Sequence, residues 1–299
     1  MTMEAGVKRL VRRHTGGAAL SRLCALAWLA GTAGVASPAT PVTGVMNPAP
    51  KPEDWIAISR LPDWSGYWIP NIRDQTQQET SNTPPWNAKV AKEMAQARAD
   101  EQAGKPWGLF ANCLPEGLPS GILVNHVGME WVFAPGRVIM MGDGDGNKLR
   151  RIHTDGRKHA DDPNPTLYGD SIGHWEGDTL VVDTIGILPQ ALIAINEAIG
   201  VPNDGDMHVV ERIHLVGPDT MHDEMTITAP KVLSKPWTTT RIYTRDRRRV
   251  TEIKEAVCVQ GAMFTESTDK AGHASWAPAQ YDLDSGTPVP VDSQPGKSR

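Results

Sequence analysis

"SIGHWEGDTLVVDT" (171–184) decides the fold class. "SIGHW" and "DTLVVDT" are β-like runs joined by "EG", and a two-residue, glycine-containing joint between such runs is a hairpin signal. The same grammar recurs on either side. "WVFAPGRVIMM" (131–141) and "KLRRIHT" (148–154) flank "GDGDGN". "HVVERIHLV" (208–216) and "MHDEMTITAP" (221–230) flank "GPDT". "WTTTRIYTR" (237–245) and "RVTEIKEAVCV" (249–259) flank "DRR". "PDWSGYWIP" (62–70) adds a short aromatic strand. Many strands with turn signals and few long helices predict a mainly β domain: an antiparallel β-barrel or half-barrel, lipocalin-like in general form.

Two helices are expected beside the sheet. Residues 84–104 start at Pro84-Pro85, place Trp86, Val90 and Met94 on one face, and stop at Gly104. "ILPQALIAINEAIGVP" (187–202) carries Leu192, Ile195 and Ile199 at helical spacing. It is either a short core-packing helix or an apolar lid over a barrel mouth.

The N-terminus carries Lys8, Arg9, Arg12, Arg13 and Arg22, then "LCALAWLAGTAGVA" (23–36). A basic region followed by a short apolar run ending in small residues is a secretory signal peptide, with export to the periplasm or beyond. The organisation is then a signal at 1–36, a flexible arm at 37–53, one β-rich domain at 54–284 and a tail at 285–299. Of 30 basic and 35 acidic residues, removal of the signal takes five basic residues and Glu4, leaving a net charge of −9. An acidic exported chain is a poor partner for nucleic acid or anionic lipid, so a small hydrophobic molecule is the expected partner. Cys113 and Cys258 remain as an even pair in an oxidising compartment, and a disulfide between them is expected.

Several motifs have the residue types of chemical sites. "GDGDGN" (142–147) begins like a calcium loop, but Lys148 stands where glycine is needed and Thr154 where a bidentate glutamate is needed. "GDSIG" (169–173) fits a nucleophile-elbow string around Ser171. A hairpin follows it rather than the helix an elbow requires. His153, Asp155, His159, Asp161 and His174 crowd together, with His208 and His214 further on, yet no defined metal-ligand spacing appears and no metal is assigned. Alternation along strands is more informative. It puts Glu211 on the face of Val209, Ile213 and Leu215, Asp223 on the face of Met221, Met225 and Ile227, and Glu255 on the face of Ile253 and Val257. Such inward carboxylates either pair with inward arginines, Arg157 or Arg241, or act as acids and bases in an apolar pocket.

"CLPEGLPSGIL" (113–123), "RRIHTDGRKHADDPNPTLYGDSIGHWEGDTLVVDT" (150–184), "HVVERI" (208–213) and "KPWTTT" (235–240) resemble the wording of a large family of secreted proteobacterial and acidobacterial proteins. The resemblance covers about residues 53–260. It carries over no catalytic residues. This chain departs from that wording at Ala160, Leu167, Asp170, Ile187-Leu188 and Val259-Gln260-Gly261, and those swaps imply a more hydrophobic ligand.

Two functional classes follow. The first is an exported, cofactor-independent lyase, isomerase or hydrolase acting by acid/base chemistry on a small aromatic or terpenoid-like molecule. Its expected catalytic groups are Asp155, Arg157, His159, His174, His208 and Glu211, with His159 or His208 as base. Its expected substrate contacts are Trp131, Trp175, Trp237, Leu192 and Ile195. The rival is a β-barrel carrier without catalysis, in which the same tryptophans form the pocket and "TDGR" is a structural turn.

Overall fold

In a computed structural model the described residues are 47–105, 116–143, 148–259, 262–268 and 274–280. The expected signal segment, the expected tail and Cys113 lie outside them, and with Cys113 so does the expected disulfide to Cys258. Ala49–Arg299 is one compact unit, and it contains every element named below.

The strands in chain order are β1 (Tyr67–Pro70), β2 (Met129–Ala134), β3 (Arg137–Gly142), β4 (Lys148–His153), β5 (Asp170–Glu176), β6 (Thr179–Ile185), β7 (Leu192–Ala194), β8 (Gly200–Pro202), β9 (His208–Gly217), β10 (Thr220–Thr228), β11 (Trp237–Asp246), β12 (Ala256–Val259), β13 (Ala262–Thr268) and β14 (Ala274–Gln280). The helices are α1 (Pro52–Ile58), α2 (Ile72–Gln75) with a 3-10 turn at Thr76–Glu79, α3 (Ala88–Gln102) and α4 (Ser120–Leu123). No helix among the described residues is long and apolar enough to cross a membrane.

The expected barrel is present and closed, in the order β1-β11-β10-β9-β6-β5-β4-β3-β2. Closure rests on a single pairing, Trp68 with Met129. Full closure leaves no unpaired edge to recruit another chain. The hairpin at 171–184 forms as expected, with Ser171 opposite Thr184 and Trp175 opposite Leu180. The barrel is mixed rather than purely antiparallel, because β4 and β5 run parallel. A parallel pair needs a long crossover, and residues 154–169, the segment richest in charged motifs, supply it.

Three expectations about local structure change. The hairpin joined across "GDGDGN" forms between β3 and β4, but "WVFAPGRVIMM" is itself two strands that turn at Pro135-Gly136, where Gly136 takes φ 72°. The strand after "DRR" does not form at 249–255. β11 pairs with β10 and β1 instead, and β12 belongs to a separate sheet with β13 and β14. Glu255 is exposed, so the third inward carboxylate is not one.

The insert is the third change: 187–202 is not helical but a two-stranded ribbon of β7 and β8. Ser120 replaces the hydrogen bonds a helix would have supplied, accepting from the Ala194 N–H at 3.0 Å and donating to the Leu192 carbonyl at 2.5 Å. Asn196 closes the ribbon's turn by accepting the Ala198 and Ile199 N–H groups. A fully buried apolar run gives helix and strand the same pattern, and here the run's β-branched residues favour strand.

α3 meets its expectation, with Val90 and Met94 on its buried face. Its cap is Asn87, whose side chain accepts from the Val90 N–H at 3.0 Å, rather than Pro84-Pro85.

Candidate functional site

The charged crossover was expected to carry the chemistry, and the structure places it on the outer wall. Ser171, Thr184 and Val209 point inward and are buried, so their neighbours Asp170, Asp183 and His208 point outward. His159 spans them: its Nδ1 lies 2.8 Å from Asp170 and its Nε2 lies 2.9 Å from Asp183. The other Asp183 oxygen meets His208 Nε2 at 2.9 Å. Partial burial opposes protonation of His159, but its hydrogen bonds to Asp170 and Asp183 outweigh this and raise its pKa. The chain Asp170–His159–Asp183–His208 therefore fastens the crossover to β5, β6 and β9.

That role makes a pH-dependent prediction. A histidine whose folded pKa lies above its unfolded value of about 6.5 adds stability below that value and loses it as pH rises through the folded pKa. His159→Ala is expected to lower unfolding stability by about 1 kcal/mol at pH 5.5, the net worth of exposed charge-assisted bonds. The deficit should shrink at pH 9. Urea midpoints at the two pH values measure it, and an equal loss at both would contradict a charged His159.

Asp155 and Arg157 form a local turn. Arg157 donates from its Nε to both Asp155 oxygens, at 2.9 and 3.0 Å, and from its backbone at 3.3 Å. Hydrogen bonds from Arg157 hold the Asp155 carboxyl below its ordinary pKa. Both residues are exposed, which fits the structural-turn reading of "TDGR". His174 is exposed and pairs with Glu176 at 3.2 Å. Arg157 therefore does not reach Glu211, and five of the six expected catalytic residues lie outside the barrel lumen.

The expected substrate contacts also separate. Trp131 and Trp175 pack with Trp64 and Phe133, each Trp64 contact having ring centroids 5.3–5.4 Å apart. Trp64 meets Trp131 and Phe133 edge-on and Trp175 at a tilt, and Phe133 meets Trp175 edge-on. Trp237 stands opposite Ile227, in the row of Val209, and donates to Asn82 at 3.1 Å. Trp175 stands in the row of Leu180 and Ile213. Trp175 and Trp237 therefore stand in ladder rows four residues apart. Ile195 is buried in the hydrophobic core and its carbonyl accepts from Gln78 at 2.8 Å, while the Leu192 carbonyl accepts from Ser120, so the ribbon is held by packing and backbone bonds.

Glu211 alone of the expected catalytic set is buried in the lumen, and it is 0% exposed. Its partner is Arg150, whose Nη1 and Nη2 donate to its two oxygens at 2.7 and 2.5 Å. Arg150 also donates to Ser171 at 3.2 Å and Thr184 at 3.1 Å, and those hydroxyls lie 2.9 Å apart. Ser171 is thus an arginine ligand rather than a nucleophile. The "GDSIG" string has a local explanation. Gly169 takes φ 68° into β5, and Gly173 faces inward where a Cβ would come within 2.8 Å of Ile152.

Asp223 lies beside this pair. It faces Ile213 on β9 and Arg241 on β11, one inward step from Glu211. Burial, then the charge of Glu211, push its carboxyl well above the ordinary value, against the pull of Arg150 and Arg241. Asp223 Oδ1 has no hydrogen-bond partner among the described residues, and neither have Arg241 Nε, Tyr243 Oη and Tyr168 Oη. Burial, then Asp223, raise the Tyr243 phenol, so it stays a neutral donor. Arg241 is positioned from behind by Gln78, by the Thr240 carbonyl at 3.1 Å and by Asp74 at 3.6 Å.

Strand phase would have found most of this group. Arg241 is inward as expected and stands opposite Asp223, whereas Arg150, in phase with Ile152, and Tyr243, in phase with Arg241, are not among the expected residues. Tyr168 sits in the crossover and has no periodic signal. No protein-family model matches the chain, and no curated protein does.

Proposed function

We propose that the working site is the lumen of the barrel, and that the chain is an exported acid/base enzyme for a small, largely hydrophobic molecule bearing a carbonyl or hydroxyl oxygen. One observation carries the reading. Asp223 Oδ1, Arg241 Nε and Tyr243 Oη face inward from adjacent positions of β10 and β11, buried and without protein partners. Each such atom costs about 1–3 kcal/mol if left unmet, and a ligand oxygen among them would meet all three. Met221, Met225 and Ile213 supply the apolar surroundings.

In this reading the Asp223 carboxyl gives its proton to the carbonyl oxygen while the neighbouring Glu211 carboxylate takes a proton from the adjacent carbon, so that an enol forms and the reverse transfers restore both carboxyls. Arg241 Nε–H and Tyr243 O–H donate hydrogen bonds to the same oxygen as charge develops on it. The Arg150-bound Glu211 stands beside Asp223, so the two carboxyls form a coupled pair that can release a proton and take it back. The supporting element is the raised Asp223 carboxyl, buried among Met221, Met225 and Ile213. Work outside the cytoplasm rests on the basic and apolar segment at 1–36.

Deuterium exchange at the carbon next to the carbonyl of acetophenone and related aryl ketones, followed by proton NMR, tests the proposal. The wild-type chain should accelerate exchange, and Asp223→Asn and Tyr243→Phe should each lose about 10²-fold or more of that acceleration. Ketones that bind the wild type but exchange at the solvent rate would support the carrier instead. No binding and no exchange would return the lumen to the status of a packed core.

A further inference from the structure

The outer face of the β9–β10 hairpin carries a second cluster that the lumen site does not use. Glu211 and Ile213 point inward on β9, as do Met221 and Asp223 on β10, so alternation turns His214, His222 and Glu224 outward. His222 lies directly opposite His214 in the ladder, and Glu224 follows two residues along the same face. The imidazole centroids are 5.9 Å apart, and one ligand atom from each of the three side chains lies within 4.8 Å of the others. His126, His159, His174 and His208 each meet a carboxylate. His214, His222 and Glu224 make no hydrogen bond or ion pair among the described residues.

We propose that His214, His222 and Glu224 form a surface site for a divalent first-row transition cation, of which zinc is the simplest probe. Two imidazoles and one carboxylate are a donor set that zinc accepts, and three protein ligands leave further positions to water. Ligands about 2.1 Å from a tetrahedral zinc stand about 3.4 Å apart, so modest side-chain rotation closes the observed spacing. The ladder fixes both histidine Cα atoms, which removes most of the ordering cost. Neither ring has a carboxylate or carbonyl on its second nitrogen, and that lowers the expected affinity about 10–100-fold below a buttressed site. The ion would clamp two adjacent strands from outside, and its binding is independent of the lumen chemistry.

Zinc titration of the chelator-stripped full chain by calorimetry, paired with the visible spectrum of the cobalt form, tests the site. One zinc per chain is expected, with a cobalt band showing nitrogen and oxygen ligands, and a rise in the thermal midpoint on adding zinc. His222→Gln and His214→Gln should each weaken binding at least about tenfold, and the double variant should lose the thermal shift. Glu224→Gln should weaken it less, since two imidazoles remain. Undiminished one-to-one binding in the double variant would overturn the proposal and place the ion elsewhere, the Asp183 carboxylate between His159 and His208 being the alternative. Absence of binding by the folded wild type would overturn it outright.

Discussion

Glu211→Ala is expected to destabilise the barrel by about 3–5 kcal/mol, the cost of breaking a buried ion pair from one side. The guanidinium of Arg150 is fully buried and gives two of its N–H groups to Glu211. Without Glu211 it would keep only the hydroxyls of Ser171 and Thr184, which carry no charge. Asp223 is the other carboxyl whose charge acts on Arg150, and ionising it to replace Glu211 would bring a second buried charge into play. Replacing both partners with apolar residues of similar size, Arg150→Met with Glu211→Leu, should recover most of the loss, because no charge then remains to desolvate. Guanidinium denaturation of the two single variants and the double variant measures the coupling. A loss under about 1 kcal/mol for Glu211→Ala would mean that water reaches Arg150 in the lumen.

Asp223→Asn is expected to act in the opposite direction on stability while removing function. The Asp223 carboxyl has a folded pKa raised well above the ordinary value by burial and by Glu211. The unfolded chain ionises near pH 4, so folding at higher pH must take up a proton. The contribution is therefore complete below the unfolded pKa and is lost as pH rises toward the folded pKa, at about 1.4 kcal/mol per pH unit. Asparagine keeps the shape and carries no such penalty. The variant should match the wild type near pH 4 and exceed it by a widening margin toward neutrality, measured by urea midpoints at several pH values. The same variant should lose the ketone exchange. A chain that is more stable and less active is the signature of a strained functional group rather than a structural one. A stability gain without loss of exchange would leave Asp223 as a passive buried acid.

The sequence exposed the site in part. Alternation alone placed Glu211 and Asp223 inward, and both are 2% exposed or less. The same rule applied to β4 and β11 gives Arg150, Arg241 and Tyr243, which complete the cluster. The dense charged run "HTDGRKHADD" gave no hint that it lies on the outer wall, apart from the buried lumen groups. Local composition says which side chains are near in sequence. It does not say that β4 and β5 run parallel, and that fact turns 154–169 into an external crossover pinned by His159 to Asp170 and Asp183.

The sequence by itself determined three of the four expected hairpins and the inward faces of β9 and β10, because a period of two and a glycine turn are local properties. The tertiary structure decided what local pattern cannot carry. Barrel closure brought Arg150 of β4 across the lumen to Glu211 of β9, 61 positions away. The buried backbone of 187–202 became a ribbon because Ser120, far off in the chain, was there to satisfy it. In both cases the deciding free energy is the pairing of a buried polar group with a partner distant in sequence, and only the closed fold supplies that partner.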